Sequence, residues 1–228
     1  MSSQVAVMAL MNISHQAKFS GILRLMFSRF SLHPTPGLQL MKHMGSGRNG
    51  GFSVQPSSTH QGLFCLFENE SYATQFLNHS SLLAWYRQHS KEMFTVKLKA
   101  YSVKGSWSGS NITTSTEKPL TGPVASLTRA SIKPLHAISF WRKAPPAEDD
   151  LQQAQGCLLS AGVGEAPILR QATFSIWESE AAMDAYARTG AHLRAIKAAV
   201  EGHYFSESMF VRFQPFDAQG SWKGKTLV

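Results

Sequence analysis

The sharpest pattern in this chain is a two-residue alternation over Arg170–Trp177. Ala172, Phe174 and Ile176 fall on one side; Gln171, Thr173 and Ser175 fall on the other. That is the period of a β-strand with one buried face. A near copy occurs earlier in the chain. Gln61-Gly-Leu-Phe-Cys-Leu-Phe-Glu-Asn-Glu70 and Gln171-Ala-Thr-Phe-Ser-Ile-Trp-Glu-Ser-Glu180 share a Gln, a Phe, an aromatic and two glutamates at one offset, and each runs into an acidic helix start. Two further pieces recur in the same order: Gly45-Ser-Gly47 with Gly162-Val-Gly164, and Gly105-Ser-Trp-Ser-Gly109 with Gly220-Ser-Trp-Lys-Gly224. Three ordered matches predict an internal duplication.

Each half then reads strand, helix, strand, strand, helix, strand. In the first half the pattern predicts strands at Gln4–Asn12, Leu38–His43, Gly62–Phe67 and Met93–Val103, with helices at His15–Phe30 and Glu70–Gln88. In the second it predicts strands at Leu135–Trp141, Gly156–Ala161, Arg170–Trp177 and Ser208–Phe216, with helices at Ala147–Ala154 and Glu178–Val200; Val124–Ile132 adds a strand at the join. This order is the ferredoxin-like split βαβ. The fold class expected is α+β: two tandem ferredoxin-like repeats forming a single-chain version of the dimeric α/β barrel, with the open face of each sheet covered either by its own copy or by a second chain. The organisation expected is a repeat at 1–109, a Ser-, Thr-, Gly- and Pro-rich linker at 110–122, and a repeat at 123–228. In this scheme the apolar side of Arg170–Trp177 packs on the helices, and Gln171, Thr173 and Ser175 line the space between the sheets.

Composition narrows the class. Lys and Arg number 22 against 14 Asp and Glu, a net charge of +8. The cations are scattered rather than gathered into a stripe, which argues against nucleic acid. The two cysteines, Cys65 and Cys157, lie far apart and fit neither a disulfide framework nor a zinc site. Val5–Met11 lacks the basic residue that precedes a secretory apolar stretch and reads as a strand, so the expected location is cytoplasmic. Lys18–Phe30 carries Phe19, Leu23, Met26 and Phe30 on one helical stripe beside Lys18, Arg24 and Arg29. It is either a core-facing helix or one that lies on an anionic membrane surface.

One polar residue stands out. A break at Thr189-Gly190 restarts a helix in which His192, Ala195, Ile196 and Ala199 share a stripe of small apolar positions. The repeat puts Leu82 at the equivalent place, so the fold itself does not demand a polar group there. His192 is either a satisfied core histidine or a ligand to something flat and bulky. Cys157 sits in an apolar strand with no cation to ionise it and reads as a buried thiol; His136 and Met183 read as packing. Gly162-Val-Gly-Glu165 reads as a tight turn between strands.

Several segments resemble the spheroidene monooxygenase family, the carotenoid ketolases of purple bacteria. They are Gly122-Pro-Val-Ala125, Leu127-Thr-Arg-Ala130, Phe140-Trp141, Gly164-Glu165, Gln171-Ala-Thr-Phe-Ser-Ile-Trp177, Ala182-Met183, Gly190-Ala-His192 with Ala195-Ile196, Phe205 and Phe210-Val-Arg-Phe213. Gly45-Ser-Gly47 with Phe52 and Val103-Lys-Gly-Ser-Trp-Ser-Gly109 extend the likeness into the first half. The resemblance implies haem b, with its iron, as cofactor and the oxygen-dependent oxidation of a small apolar, carotenoid-like substrate, with an electron donor as partner. It implies His192 as the axial iron ligand. It implies Arg129 as a partner of a haem propionate or of the iron's other ligand, and Gln171 and Thr173 as hydrogen-bond donors on the pocket side. The alternatives are a haem-dependent lyase of the aldoxime dehydratase type and a non-catalytic haem-binding protein.

Overall fold

Strands form where β-branched and aromatic residues alternate or run together, and helices begin where Asn, Ser or Thr can take an N-cap. The computed structural model describes residues 3–27 and 35–227, with the backbone alone at 143–149, 152, 191 and 192. The first half holds β1 (Val5–Ile13), α1 (Lys18–Phe27), β2 (Leu38–Gly47), β3 (Pro56–Phe67), α2 (Glu70–His79), α3 (Ser81–His89) and β4 (Ser90–Gly105). The second holds β5 (Val124–Ile132), α4 (Ala137–Gln153), β6 (Cys157–Ala166), β7 (Arg170–Trp177), α5 (Glu180–Ala187), α6 (Gly190–Glu201) and β8 (Phe205–Trp222), followed by a two-residue β9 (Lys225–Thr226). Between them, Ser110–Gly122 carries only an isolated bridge from Ser110 to Trp107 and is tied to the chain start by Thr113, which donates to Gln4 Oε1.

The strands are ordered β4-β1-β3-β2 and then β6-β7-β5-β8. Counted within its own half, each sheet has the ferredoxin-like order 4-1-3-2. β2 joins β6 through Gly45 opposite Gly164 and Ser46 opposite Val163, and β4 pairs with β8 over most of its length. The eight strands therefore close into one antiparallel barrel within a single chain, which removes every long free edge. The duplicated endings clasp reciprocally. Ser106 and Ser108 bond Glu207 at the start of β8, whereas Ser221, Lys223 and Gly224 bond Glu92 at the start of β4. Trp107 and Trp222 are fully buried at these clasps.

Several expectations change. Leu135–Trp141 is no strand: Pro134 opens a short 3-10 turn and Ala137 starts α4, in keeping with proline's preset φ at the first helical position. Val124–Ile132 supplies the first strand of the second half instead. Glu70–Gln88 splits at Ser80, which closes α2 and caps α3, and Glu178–Val200 splits at the expected Thr189-Gly190. Gly162–Glu165 lies inside β6 rather than in a turn. Gly45 faces Gln61 and Gly164 faces Gln171, so the counterpart of Gly45 is Gly164, two residues on from the alignment by glycines alone.

The largest change concerns the sides of the sheet. Met8, Leu10, Phe64, Phe94, Leu127, Phe174, Ile176, Val211 and Phe213 belong to one buried cluster drawn from both sheets. This fills the barrel. Ala172, Phe174 and Ile176 thus point inward, and Gln171, Thr173 and Ser175 face the helices, the reverse of the expectation. The interior of an eight-stranded barrel is narrow enough for side chains to fill, as they do here, and filling it with hydroxyls would leave them unpaired at a cost of about 1–3 kcal/mol each. Part of the α1 stripe also differs from a core-facing helix: Phe19, Leu23 and Met26 are exposed, while Arg29 and Phe30 lie outside the described residues.

Candidate functional site

The helix-facing layers of the two halves differ in what fills them. In the first, β1 and β3 send Val7, Ala9, Met11, Leu63 and Cys65 toward Phe76, Leu77, Leu83 and Tyr86 of α2 and α3, all buried. In the second, the matching cluster is Val124, Leu151, Trp177 and Met183, gathered where β5 begins and β7 ends. Farther along the same face, Ser126, Thr128, Gln171 and Thr173 are only partly buried. The register identifies one row across each sheet: Thr95–Ala9–Leu63–His43 in the first, Phe210–Thr128–Thr173–Gly162 in the second. Thr95, Ala9 and Leu63 are buried, whereas Phe210 is 41% exposed. This stretch of the second layer is less filled than its counterpart and carries the hydroxyls of Ser126, Thr128 and Thr173; it is the candidate groove.

Its walls are aromatic. Gly162 lets the Gly51-Phe52 backbone settle on β6, because a Cβ there would lie 2.6 Å from Gly51 and Phe52. Phe52 then stacks on Trp141 of α4 at 5.0 Å, and Phe140 meets Phe205 edge-on at 5.9 Å. Arg212 on β8 holds α5 through Glu180 at 2.6 Å and Asp184 at 2.7 Å. Gly190 opens α6 at φ +60°, a left-handed conformation that suits glycine, and a side chain there would strike Asp150 of α4. Along α6, Arg194, Lys197 and Glu201 are exposed and Ala199 is buried, so the stripe through 195, 196 and 199 is the inward one.

The expected site residues separate. Gln171 and Thr173 share the groove face; Gln171 Nε2 donates to Ala166 O at 3.1 Å. Among the described residues no hydrogen bond engages the hydroxyls of Ser126, Thr128 or Thr173, which leaves them available to a ligand. His192 occupies the third position of α6, and its side chain lies outside the described residues. Counted from the caps Ser80 and Thr189, that position matches Leu83 of α3 rather than Leu82, and Leu83 is fully buried against the first sheet.

Arg129 is not brought to the groove. It shares the inward side of β5 with Ala125 and Leu127, is 2% exposed, and pairs with Glu207 and with Glu165 at 3.2 Å while lying over the Trp107 ring. Lys42 completes this cluster by bonding Glu165 at 2.9 Å. Burial pushes the Glu165 carboxyl up, but the bonds from Lys42 and Trp107 outweigh it and hold the group below the usual carboxylate range. Arg129 is a paired, buried charge at the barrel end rather than a pocket cation. The residues that sequence reasoning missed are Ser126, Thr128 and Phe210. Their signal was the alternation of β5 and β8.

Cys157 is half-buried and its thiol is pushed up by burial, in keeping with an unreactive packing role. Among the described residues no group of three or more His, Cys, Asp and Glu could hold a metal ion, and no helix is long and apolar enough to cross a membrane.

No family profile matches the chain. Over 97% of its length it is 48% identical to spheroidene monooxygenase of Rubrivivax gelatinosus, covering 86% of that protein. It is 34% identical to spheroidene monooxygenase of Rhodobacter capsulatus over 90% of this chain and 86% of the relative. Among solved structures, aldoxime dehydratase OxdRE in complex with butyraldoxime superposes with a TM-score of 0.60 at 10% identity, over 94% of this chain and 79% of that one. This last likeness concerns the fold alone. At these identities and coverages, the chain belongs to the spheroidene monooxygenase family of oxidoreductases.

Proposed function

We propose that this chain is a haem-dependent monooxygenase that oxidises an apolar, carotenoid-like molecule, with haem held in the groove between the second sheet and α4–α6. The observation that carries the reading is the under-filled helix-facing layer of the second half, marked by the 41% exposure of Phe210. A flat apolar macrocycle fits a space with aromatic walls at Phe52, Phe140, Trp141 and Phe205 and small residues along α6. Haem iron is already held by four porphyrin nitrogens, so the protein need add only an imidazole, and no multi-residue metal cluster is required. His192 is the candidate: its helix position is the one from which Leu83 meets the sheet in the other half. When bound, the haem would supply oxygen activation, with electrons from an external donor.

The chain's own residues would do the rest. The aromatic walls would bind the substrate and exclude water. Thr173, Thr128 and Ser126 would present hydroxyl donors from the floor, and Gln171 would fix the groove's outer edge through Ala166. Arg129 stays outside this scheme because it lies on the other side of β5.

Titration with haemin tests the reading. The protein is expected to take up one haem with a strong Soret band, and His192→Ala is expected to abolish that uptake without changing the far-UV circular dichroism, since alanine favours the helix. An unchanged spectrum in the variant would remove His192 as ligand; a chain that refuses haemin would sink the haem reading altogether. Loaded protein should consume acyclic carotenoid only in the presence of oxygen and reductant. Oxygen-independent turnover would favour a lyase.

A further inference from the structure

We propose that α1 is a docking face for an anionic lipid bilayer, held in the interface plane with its apolar stripe inserted between headgroups. α1 has two faces. Gly21, Ile22 and Leu25 turn inward: a Cβ on Gly21 would meet Ile13 at 2.6 Å, and Gln61 donates to the Gly21 carbonyl at 3.0 Å. Phe19, Leu23, Met26 and Phe27 lie within an arc of about 100° on the other side, and all four are exposed, Phe19 by 69% and Met26 by 57%. Four large apolar side chains clustered on one helical stripe are not the scattered exposure of an ordinary surface.

Charge selects the occupant. Lys18 and Arg24 flank the stripe on either side, and the Arg24 guanidinium is steadied over the Trp85 ring at 4.5 Å. The first acidic residue of the whole chain is Glu68; before it stand Lys18, Arg24, Arg29 and Arg48, together with Lys42, which is committed to Glu165. An apolar stripe bordered by cations, in a segment with no carboxylate, fits headgroups that carry negative charge and offer acyl chains beneath. A second copy of the chain would present the same cations to themselves, and nucleic acid would leave the phenylalanines without a partner. α1 also rests beside β2, with Leu25 against Gly45, at the strand that joins the second sheet through Gly164. The inference is independent of the cofactor reading, since its readout involves no haem.

Flotation of the full chain with vesicles tests it. Vesicles of equal parts phosphatidylglycerol and phosphatidylcholine are expected to carry at least tenfold more protein than pure phosphatidylcholine, with the difference shrinking as salt rises. The double substitution Phe19→Ser with Met26→Ser should cut binding to the anionic vesicles at least tenfold. Both positions are exposed, so circular dichroism and melting temperature should stay as in the parent. Absence of the parent from the floating fraction, or equal flotation of the variant, overturns the proposal. So does a stripe-dependent dimer, seen as a shift to monomer in the variant by analytical ultracentrifugation without any loss of vesicle binding.

Discussion

The two repeats share topology, strand order and reciprocal end clasps, yet their helix-facing rows part company. Thr95, Ala9 and Leu63 of the first row are buried; in the second row Thr128 and Thr173 are only partly buried and Phe210 is 41% exposed. The leucine of the first row, Leu63, is replaced by Thr173 in the second, which lowers the hydrophobic return on folding by roughly 1–2 kcal/mol. The first repeat and the filled barrel carry the stability that lets the second stay open. A duplicated fold can thus keep one copy as scaffold and leave the other locally under-packed where a ligand is to bind, as departures from full packing tend to mark functional sites.

If the open row is the binding site, closing it should remove binding. Thr128→Ala with Thr173→Leu writes the first repeat's pair, Ala9 and Leu63, into the second. Haemin uptake is expected to fall about a thousandfold, roughly 4 kcal/mol, with melting temperature unchanged or raised. Unimpaired uptake would show that the cofactor does not lie on this face. The mirror substitution, Leu63→Thr, hollows the filled row and buries a hydroxyl. It should cost about 3 kcal/mol in urea unfolding, with haem uptake per folded molecule retained. Equal stability effects from the two exchanges would erase the distinction between scaffold and site.

Much of this asymmetry could be read before any coordinates. The Gln61 and Gln171 segments reveal the duplication, and alternation over Arg170–Trp177 separates its hydroxyl face from its apolar one. Which face meets the helices was not readable there. Alternation gives two sides but not the contents of the barrel, and closure by β2–β6 and β4–β8 settles that. Arg129 shows a related limit. In Val124–Ile132 it shares its side with Ala125 and Leu127, opposite Ser126 and Thr128, so period two already separates it from the groove. Leu135–Trp141 competes with that segment for the first strand of the second half, because its aromatic and branched residues mimic a strand although Pro134 starts a helix. The ion pairs of Arg129 with Glu165 and Glu207 join distant parts of the chain, and no local pattern announces them.

The smallest expected effect separates the rows by pH. His43 closes the first row where Gly162 closes the second, so only the first row ends in a titratable group. Tyr86 gives its single hydroxyl proton to Gln61 Oε1 at 2.6 Å, which leaves its oxygen to accept from His43 Nε2 at 2.9 Å and so keeps a proton on that nitrogen. Burial pushes His43 down to about 4, despite a hydrogen bond with Gln61 that raises it. The unfolded chain, with an ordinary histidine near 6.5, takes up the proton first as pH falls. The stability associated with a neutral His43 is therefore complete above about pH 6.5, drains away between 6.5 and 4, and is gone below that, a loss of roughly 3 kcal/mol. Carboxylates titrate in the same window, so the measure is the difference in unfolding free energy between the parent and His43→Leu at each pH. That difference should slope across the window and flatten on either side. A flat difference would mean that His43 is charged or solvated in the fold, and that the first row is less completely sealed than its neighbours indicate.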